Sequence, residues 1–438
     1  MACSGRERIV TRSSKLHLIC LLVIATALYA YTLGGTAAPV ELEFWECWGG
    51  HRTDWIKGYI EEFEKAYPHV SVAVRTMGCG ANDLIQKFVV AYAGGVAPNL
   101  IMFQTFDLVG FADKGMLLPI DQYLTRDKLE PSLWYESELA SGRWNGQQYG
   151  LPVRAGGDAN TIFYRNVDLF NAAGLNAAKP PETLDQLHEA GLKLVRYDAD
   201  GSIVVSPGCL ATTGDYNNVA WLYAANGEFL TKDLRAPAFH QGAALEVVEK
   251  LSQINLSWHR SPGDVRAGRA NFLNGKAAMY QTGAWEWSYI ASQEGFNFAV
   301  GPRPRLNASV PYAGAHIGTW HYVIPKGSHA DEAWLLLRWL GTRRDTIGDF
   351  LLRQGRLAPL VAFNSNPEYR KINKDILALA NAMSMAASVQ MLPISRQLMD
   401  IHASALTDVV YGRKGSVVAM EEARRLIQPL LDEYWYSK

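Results

Sequence analysis

The stretch ELEFW, residues 41–45, is predicted to form a β-strand, because polar and apolar side chains alternate along it. Apolar residues at helical spacing follow it and stop at Pro68: Trp55, Ile56, Tyr59, Ile60, Phe63 and Tyr67. The same succession then repeats, with a strand from Val70 to Val74, a helix from Asn82 to Gly94, and a strand from Asn99 to Phe103. This β–α–β–α–β order predicts a mostly parallel sheet, whose ligands bind beyond the carboxyl ends of the strands.

A second α/β region is predicted to begin near residues 149–152. Further strands are expected at 161–164, 277–281, 296–300 and 322–324, and further helices at 184–194, 218–225, 243–254 and 333–340. Beyond these the chain is predicted to be helical to its end, with breaks at Pro359 and Pro393. The absence of a Gly/Ser/Pro-rich linker fits two lobes that the chain crosses through short hinges.

Charge and composition limit the possible partners. The chain has 438 residues, 48% of them hydrophobic, which is enough to bury the cores of two lobes. Its 42 basic residues against 43 acidic ones leave a net charge of −1. Because a nucleic-acid ligand needs a basic surface, we expect no nucleic-acid partner.

The first 38 residues have the pattern of an export signal. Four basic residues precede an uncharged apolar run from Leu16 to Leu33, and small residues follow from Gly34 to Ala38. Cleavage near Ala37 or Ala38 is favoured over a retained membrane anchor, because the run is at the short limit for a spanning helix. We therefore predict a periplasmic or otherwise extracytoplasmic protein, with anchoring by an uncleaved segment as the alternative.

Three cysteines follow that segment: Cys47, Cys79 and Cys209. Their spacing fits no zinc site, and export implies an oxidising compartment. Cys47 and Cys79 lie just past the ends of two successive strands, so a disulfide between them is one hypothesis and two buried thiols are the other. We expect Cys209 to be free.

Catalytic and cofactor signatures are missing from the chain. We find no phosphate-binding glycine loop, no GxGxxG, no GxSxG and no HExxH. His188 and Glu189 begin like a zinc-binding helix, but Leu192 occupies the position of the second ligand. We therefore expect no enzyme activity, no cofactor and no metal.

Tryptophan is the positive signal, since the chain has thirteen and several of them lie at loops. A sugar presents apolar C–H faces and a ring of hydroxyls, so stacked aromatics and hydrogen-bonding side chains recognise it. The aromatic candidates are Trp45, Trp48, Trp221, Trp285, Trp287 and Trp320, and the polar candidates are Gln104, Asp107, Arg154 and Asp158. Core packing is the alternative, which we prefer for Trp55, Trp334 and Trp339.

One segment resembles a known family. Phe272-Leu273-Asn274-Gly275-Lys276-Ala277-Ala278-Met279, followed by Thr282-Gly283-Ala284-Trp285, is similar to the hinge segment of sugar-binding proteins of ABC importers, which include the maltose-binding proteins. Supporting stretches are residues 63–68, 93–98, 166–175, 181–187 and 324–333. These stretches occur in the same order along the chain as in that family, which argues against a chance match.

The resemblance implies a two-lobed α/β periplasmic-binding-protein fold, each lobe being a mostly parallel sheet flanked by helices. The N-terminal lobe would take residues 40–153 and 281–326, and the C-terminal lobe 154–280 and 327–438. By family position, Trp45, Trp48, Gln104, Asp107 and Trp285 would line the cleft, opposite Trp221 and Tyr164. Arg165 stands where relatives have tyrosine, so Tyr164 would turn away from the cleft and Arg165 into it.

The function that this resemblance implies is a receptor that captures a carbohydrate and delivers it to an ABC permease, and we expect a monomer. Arg154 and Arg165 keep open an anionic or phosphorylated polyol as ligand, because guanidinium pairs with phosphate. A carbohydrate-active hydrolase is a further alternative, for which Asp107, Asp158 and Glu286 are the available carboxyls. The remaining alternative is a binding protein that serves as the sensory partner of a membrane receptor rather than of an importer.

Overall fold

The computed structural model describes residues 39–78, 81–155, 162–211, 216–311, 315–368, 387–389 and 391–438. The strands are β1 Val40–Glu46, β2 Val70–Thr76, β3 Leu100–Gln104, β4 Arg143–Trp144, β5 Gln147–Gln148, β6 Gly150–Pro152, β7 Ile162–Asn166, β8 Arg196–Tyr197, β9 Ile203–Val205, β10 Met279–Thr282, β11 Phe298–Pro302, β12 Ala315–His316, β13 Trp320–Val323 and β14 Ala387–Ser388. The export signal predicted for residues 1–38 lies outside the described residues.

The α-helices of the described residues are α1 His51–Ala66, α2 Gln86–Ala93, α3 Thr105–Asp113, α4 Asp121–Arg126, α5 Glu136–Ala140, α6 Val167–Ala172, α7 Leu184–Leu194, α8 Ala220–Tyr223, α9 Gly242–Trp258, α10 Arg269–Leu273, α11 Trp287–Ala291, α12 Ala330–Thr342, α13 Asp349–Arg353, α14 Val361–Asn364, α15 Ser395–Val410 and α16 Ser416–Tyr436. Within this part of the chain, no helix is both long enough and apolar enough to cross a membrane.

The first sheet has the strand order β2-β1-β3-β13-β6. β1 runs parallel to β2 and β3, while β13 runs antiparallel to β3 and β6. The three strands predicted at the start of the chain are confirmed, and so are the helices between them. Alternate side chains of β1 face the core: Leu42 and Phe44 are fully buried, in the same apolar cluster as Ile60 and Phe63 of α1.

The second sheet has the order β10-β7-β11 and is antiparallel throughout. The expectation of a mostly parallel second sheet is therefore wrong for these strands. The order of strands along the chain did not decide their direction, because more than a hundred residues separate β7 from β10. The neighbours of β7 come from a later pass of the chain, which runs the opposite way.

Two lobes can be defined by packing. The first lobe comprises the first sheet with α1–α5 and α12, and the second lobe comprises the second sheet with α6–α11, α15 and α16. Two segments depart from the predicted division: β11 pairs with β7, and α12 packs against β1, β13 and α1. The remaining bounds stay a prediction.

Candidate functional site

The carboxyl end of β3 meets the beginning of β13 at one edge of the first sheet. Gln104 and Trp320 are paired across these two strands, so their side chains project from the same face. Trp320 is 8% exposed, and Gln104 is partly buried. Both predicted site residues therefore lie at the strand ends where an α/β sheet binds its ligands.

The end of β1 is held in place by a buried carboxylate. Glu46 accepts hydrogen bonds from the Thr53 and Thr76 hydroxyls and from the backbone N–H of Trp48. These bonds satisfy the charge of a fully buried side chain. They also fix the loop between β1 and α1, so the position of Trp48 is set before any ligand arrives.

The indole of Trp48 is partly buried and stacks on Phe350 of α13, with ring centroids 5.0 Å apart and an interplanar angle of 16°. One face of this ring is thus supported by the protein. Trp45, in contrast, is 6% exposed and donates its indole N–H to Glu43. Because Trp45 packs in the core, the prediction that its ring lines the cleft does not hold in this conformation.

Arg396, the second residue of α15, reaches from the second lobe to the predicted site residues of the first. Its Nη2 donates to Gln104 Oε1 at 2.7 Å and to Asp107 Oδ2 at 3.3 Å, and its guanidinium lies 4.3 Å from the ring centroid of Phe106. Burial raises the pKa of the Asp107 carboxyl, and the Arg396 charge opposes that rise. Asp107 and Gln104 are therefore brought together, with an arginine as their common partner.

A second charged cluster lies where α1 faces the segment before α11. Glu286 is 7% exposed, and Arg269 Nε lies 2.8 Å from its Oε2. Burial raises the pKa of Glu286, while Arg269, a hydrogen bond from Trp285 and the nearby Arg52 oppose that rise. Burial also lowers the pKa of Arg52, and the charges of Glu46 and Glu286 oppose that decrease. This cluster joins the first lobe to the second through Arg52.

Trp285 offers the most exposed indole of the predicted site. Its side chain is 37% exposed, and its ring folds back over Gly283. A Cβ atom added at Gly283 would lie 2.0 Å from the ring, so only glycine permits this position. One face of the ring is therefore fixed by backbone, and the remaining surface is accessible to solvent.

A groove of about 770 Å³ extends from the Arg396 bridge between α3 of the first lobe and α15 and α16 of the second. Its apolar wall includes Phe106, Phe111, Ile394, Ile401 and Ala405, and its charged residues include Asp107, Lys114, Asp400 and Glu422. A mixed lining of this kind can take a molecule that has both apolar faces and hydroxyl groups.

A model of bacterial extracellular solute-binding proteins matches residues 49–346, which is more than half of the chain. The chain belongs to this family. The predicted recognition of a solute-binding protein is confirmed, and the family is one of binding proteins rather than enzymes. The family description also indicates an extracytoplasmic location.

Relatives of this solute-binding protein are about a quarter identical to it over the aligned residues. The maltotriose-binding protein of Pyrococcus abyssi is 24% identical over 66% of the chain, and the match covers 60% of that protein, less than two thirds of its length. A putative binding protein of Brucella abortus is 24% identical over 83% of the chain and 88% of its own length.

Solved structures establish the fold. The cyclic α-maltosyl-1,6-maltose-binding protein of Arthrobacter globiformis gives a TM-score of 0.74 at 20% identity, covering 90% of this chain and all of that one. The sugar-binding protein MalE of Xanthomonas citri gives 0.75 at 18% identity, covering 91% and 98%. The predicted two-lobed periplasmic-binding-protein fold is confirmed.

Four predicted ligand-binding residues of this solute-binding protein are buried in other roles. Trp221 has no exposed surface: it donates to Leu210 O and lies under Arg303. Tyr164 is also fully buried, and its hydroxyl donates to Gly283 O. Arg165, 1% exposed, donates to the carbonyls of Ala177, Phe163 and Val300. The prediction that Arg165 points into the cleft is therefore wrong, and so is a cleft position for Trp221 and Tyr164 in this conformation.

Arg154 is the fourth of these, because it is 5% exposed and donates to the carbonyl of Ala155. Trp287 is partly buried and packs against Gly355, where an added Cβ would lie 2.1 Å from the ring. Asp158 lies outside the described residues. Of the remaining predicted site residues, Gln104 and Asp107 contact the second lobe through Arg396. A ligand-binding role for Trp48, Trp285 and Trp320 stays a prediction.

Sequence reasoning missed Arg396 and Arg52. Arg52 could have been found, because it follows the first strand by a few residues and opens a helix. Arg396 carries no such signal, since it lies 289 residues from Asp107 in the chain. No motif connects the two.

The cysteine and metal predictions have partial answers. Cys47 is disulfide-bonded, and Cys79 lies outside the described residues, so their pairing stays a prediction. Cys209 is free and buried, as predicted. Among the described residues, no group of three or more His, Cys, Asp or Glu side chains is arranged to hold a metal ion.

Proposed function

We propose that this protein captures a carbohydrate between its two lobes, outside the cytoplasm, and delivers it to the permease of an ABC transporter. The observation that carries the proposal is the pair of indoles, Trp48 and Trp285, each supported on one face by the protein. Supported rings of this kind suit the flat apolar faces of a sugar.

Hydrogen-bonding groups beside the indoles suit the hydroxyls of such a ligand. Gln104 offers an amide, Asp107 and Glu286 offer carboxylate oxygens, and Arg52 and Arg396 offer N–H donors. Because most of these groups are partly buried, bonds to a ligand would form in a region of reduced water content. Relatives whose names mention maltotriose and maltose derivatives support the same ligand class.

An anionic ligand is less well supported by the arginines. Arg165 is committed to backbone carbonyls, and Arg396 is paired with Asp107, so neither presents an unbalanced positive charge. A glycerol-3-phosphate-binding relative from Brucella abortus matches over 39% of the chain only. We therefore propose a neutral carbohydrate, bound by a monomer without bond cleavage.

A thermal-shift screen of the exported protein tests this function. The panel is glucose, maltose, maltotriose, mannobiose and sn-glycerol 3-phosphate, with analysis of each sugar for hydrolysis products. A ligand at about 100 times its Kd stabilises the folded state by about 2.7 kcal/mol. A carbohydrate ligand at that concentration should therefore raise the melting temperature measurably. Stabilisation by sn-glycerol 3-phosphate alone, or formation of shorter sugars, would refute the proposal.

A further inference from the structure

One arginine joins the two lobes by contacting three residues of one short segment. Gln104 ends β3, and Phe106 and Asp107 lie in the first turn of α3, so all three belong to the first lobe. Arg396 contacts the Gln104 amide oxygen, the Asp107 carboxylate and the face of the Phe106 ring. A single side chain therefore forms two hydrogen bonds and a cation–π contact across the lobe boundary.

The arginine is anchored firmly in the second lobe. Helix α15 packs against α9 and α16, and Asn255 and Ser252 of α9 donate to the carbonyls of Val410 and Val409 at its carboxyl end. Helix α3 packs against β3 and β13 of the first sheet, and it also contacts α15 across the lobe boundary. A movement of one lobe relative to the other must therefore change the distance between Arg396 and Asp107.

The opposite end of α3 carries a second contact of the same kind. Lys438, the last residue of the chain, donates to both oxygens of Asp113 at 2.6 and 2.8 Å. Both ends of α3 are thus paired with cations of the carboxyl-terminal segment. Exposed ion pairs contribute little to stability, but Asp107 is 13% and Asp113 15% exposed, so these pairs are partly shielded from water.

We propose that Arg396 is an interlobe clasp, which favours the closed arrangement of the lobes through contacts made within the chain itself. The bridge to Gln104 and Asp107 adds to the contacts that a ligand makes with both lobes, so it sets part of the closing equilibrium. This proposal goes beyond capture of a solute and does not depend on the chemical identity of that solute.

Small-angle X-ray scattering of the ligand-free exported protein tests the clasp. The variants are Arg396→Met, Asp107→Asn and the double variant, and Arg413→Met is the matched control. Arg413 also pairs with an aspartate and lies over an aromatic ring, but its partners Asp408 and Tyr411 are in the same lobe. Melting curves and circular dichroism establish that each variant is folded.

We expect Arg396→Met and Asp107→Asn each to increase the radius of gyration. The double variant should have a radius of gyration close to that of either single variant, because both changes remove the same contact. The ratio of closed to open molecules should fall by about 5- to 30-fold, which corresponds to about 1–2 kcal/mol. Salt at about 1 M should move the parent protein the same way but by a smaller amount, because a partly buried ion pair is screened less than an exposed one. The Asp107→Asn variant decides the matter if Arg396→Met fails to fold.

A folded Arg396→Met variant with the parent radius of gyration at low and high salt would overturn the clasp. An equal change in Arg413→Met would overturn it too, since that pair does not cross the lobe boundary. Neither result would bear on carbohydrate binding, which the thermal-shift screen measures separately.

Discussion

His402 should make this protein sensitive to mild acid. The residue lies in the middle of α15, the helix that carries Arg396, and has no exposed surface. Both ring nitrogens are without a hydrogen-bond partner among the described residues, and the rings of Phe229 and Phe239 lie against the imidazole. Burial lowers its pKa to about 3, from an ordinary value of 6.5.

The direction of the pH dependence of stability follows from this lowered pKa. A histidine with a lowered folded pKa takes up its proton more readily in the unfolded chain, so stability falls as the pH drops from about 6.5 towards 3. One unit of pKa is worth about 1.36 kcal/mol, so this group alone should remove about 2 kcal/mol between pH 7 and pH 5. Below pH 3 its contribution should level off.

The substitution His402→Leu should remove this sensitivity, because leucine fills an apolar site without a titratable nitrogen. It should also raise stability at pH 7 by about 1–3 kcal/mol, the usual cost of a buried group that lacks a partner. Urea unfolding at pH 7 and pH 5, followed by tryptophan fluorescence, measures both effects. Equal acid sensitivity of the parent and His402→Leu proteins would refute the reasoning.

Three further predictions concern the site and the fold. Trp48→Ala and Trp285→Ala should each weaken carbohydrate binding by about 1–3 kcal/mol, whereas the half-buried Trp435→Ala should not, as measured by calorimetric titration. Arg165→Met should lower unfolding free energy by about 1–3 kcal/mol, since it leaves carbonyls without a donor, and should leave relative affinities for neutral and anionic ligands unchanged. Gly191→Ala should destabilise by about 1–3 kcal/mol in thermal melts, because its Cβ would lie 2.0 Å from Trp258 and this clash outweighs a helix-propensity gain of about 1 kcal/mol.

The first sheet could be predicted from sequence because its strands and helices have different periods. Leu42 and Phe44 alternate with polar neighbours in β1, and Ile56, Ile60 and Phe63 recur at helical spacing in α1. The antiparallel second sheet could not be predicted in the same way, since a strand's period carries no information about the direction of its neighbour.

The site was harder to predict than the fold. All five residues of β7 are buried, so alternation could not separate Tyr164 from Arg165, and neither faces the cleft. Trp221 lies in α8, within the helix predicted for residues 218–225, and all four residues of α8 are buried, so helical spacing did not separate a ligand-facing side from a core side. Arg396 depends on a contact across 289 residues, which no local pattern records.

The most direct test of the account is a calorimetric titration of the exported protein with maltotriose and mannobiose, set beside the same titration of a Trp48→Ala/Trp285→Ala double variant. The account predicts one carbohydrate bound per protein molecule, and heat that is lost or strongly reduced in a double variant that remains folded. Equal binding by the two proteins, or no binding of any carbohydrate by the parent, would contradict capture between the lobes by supported indole rings.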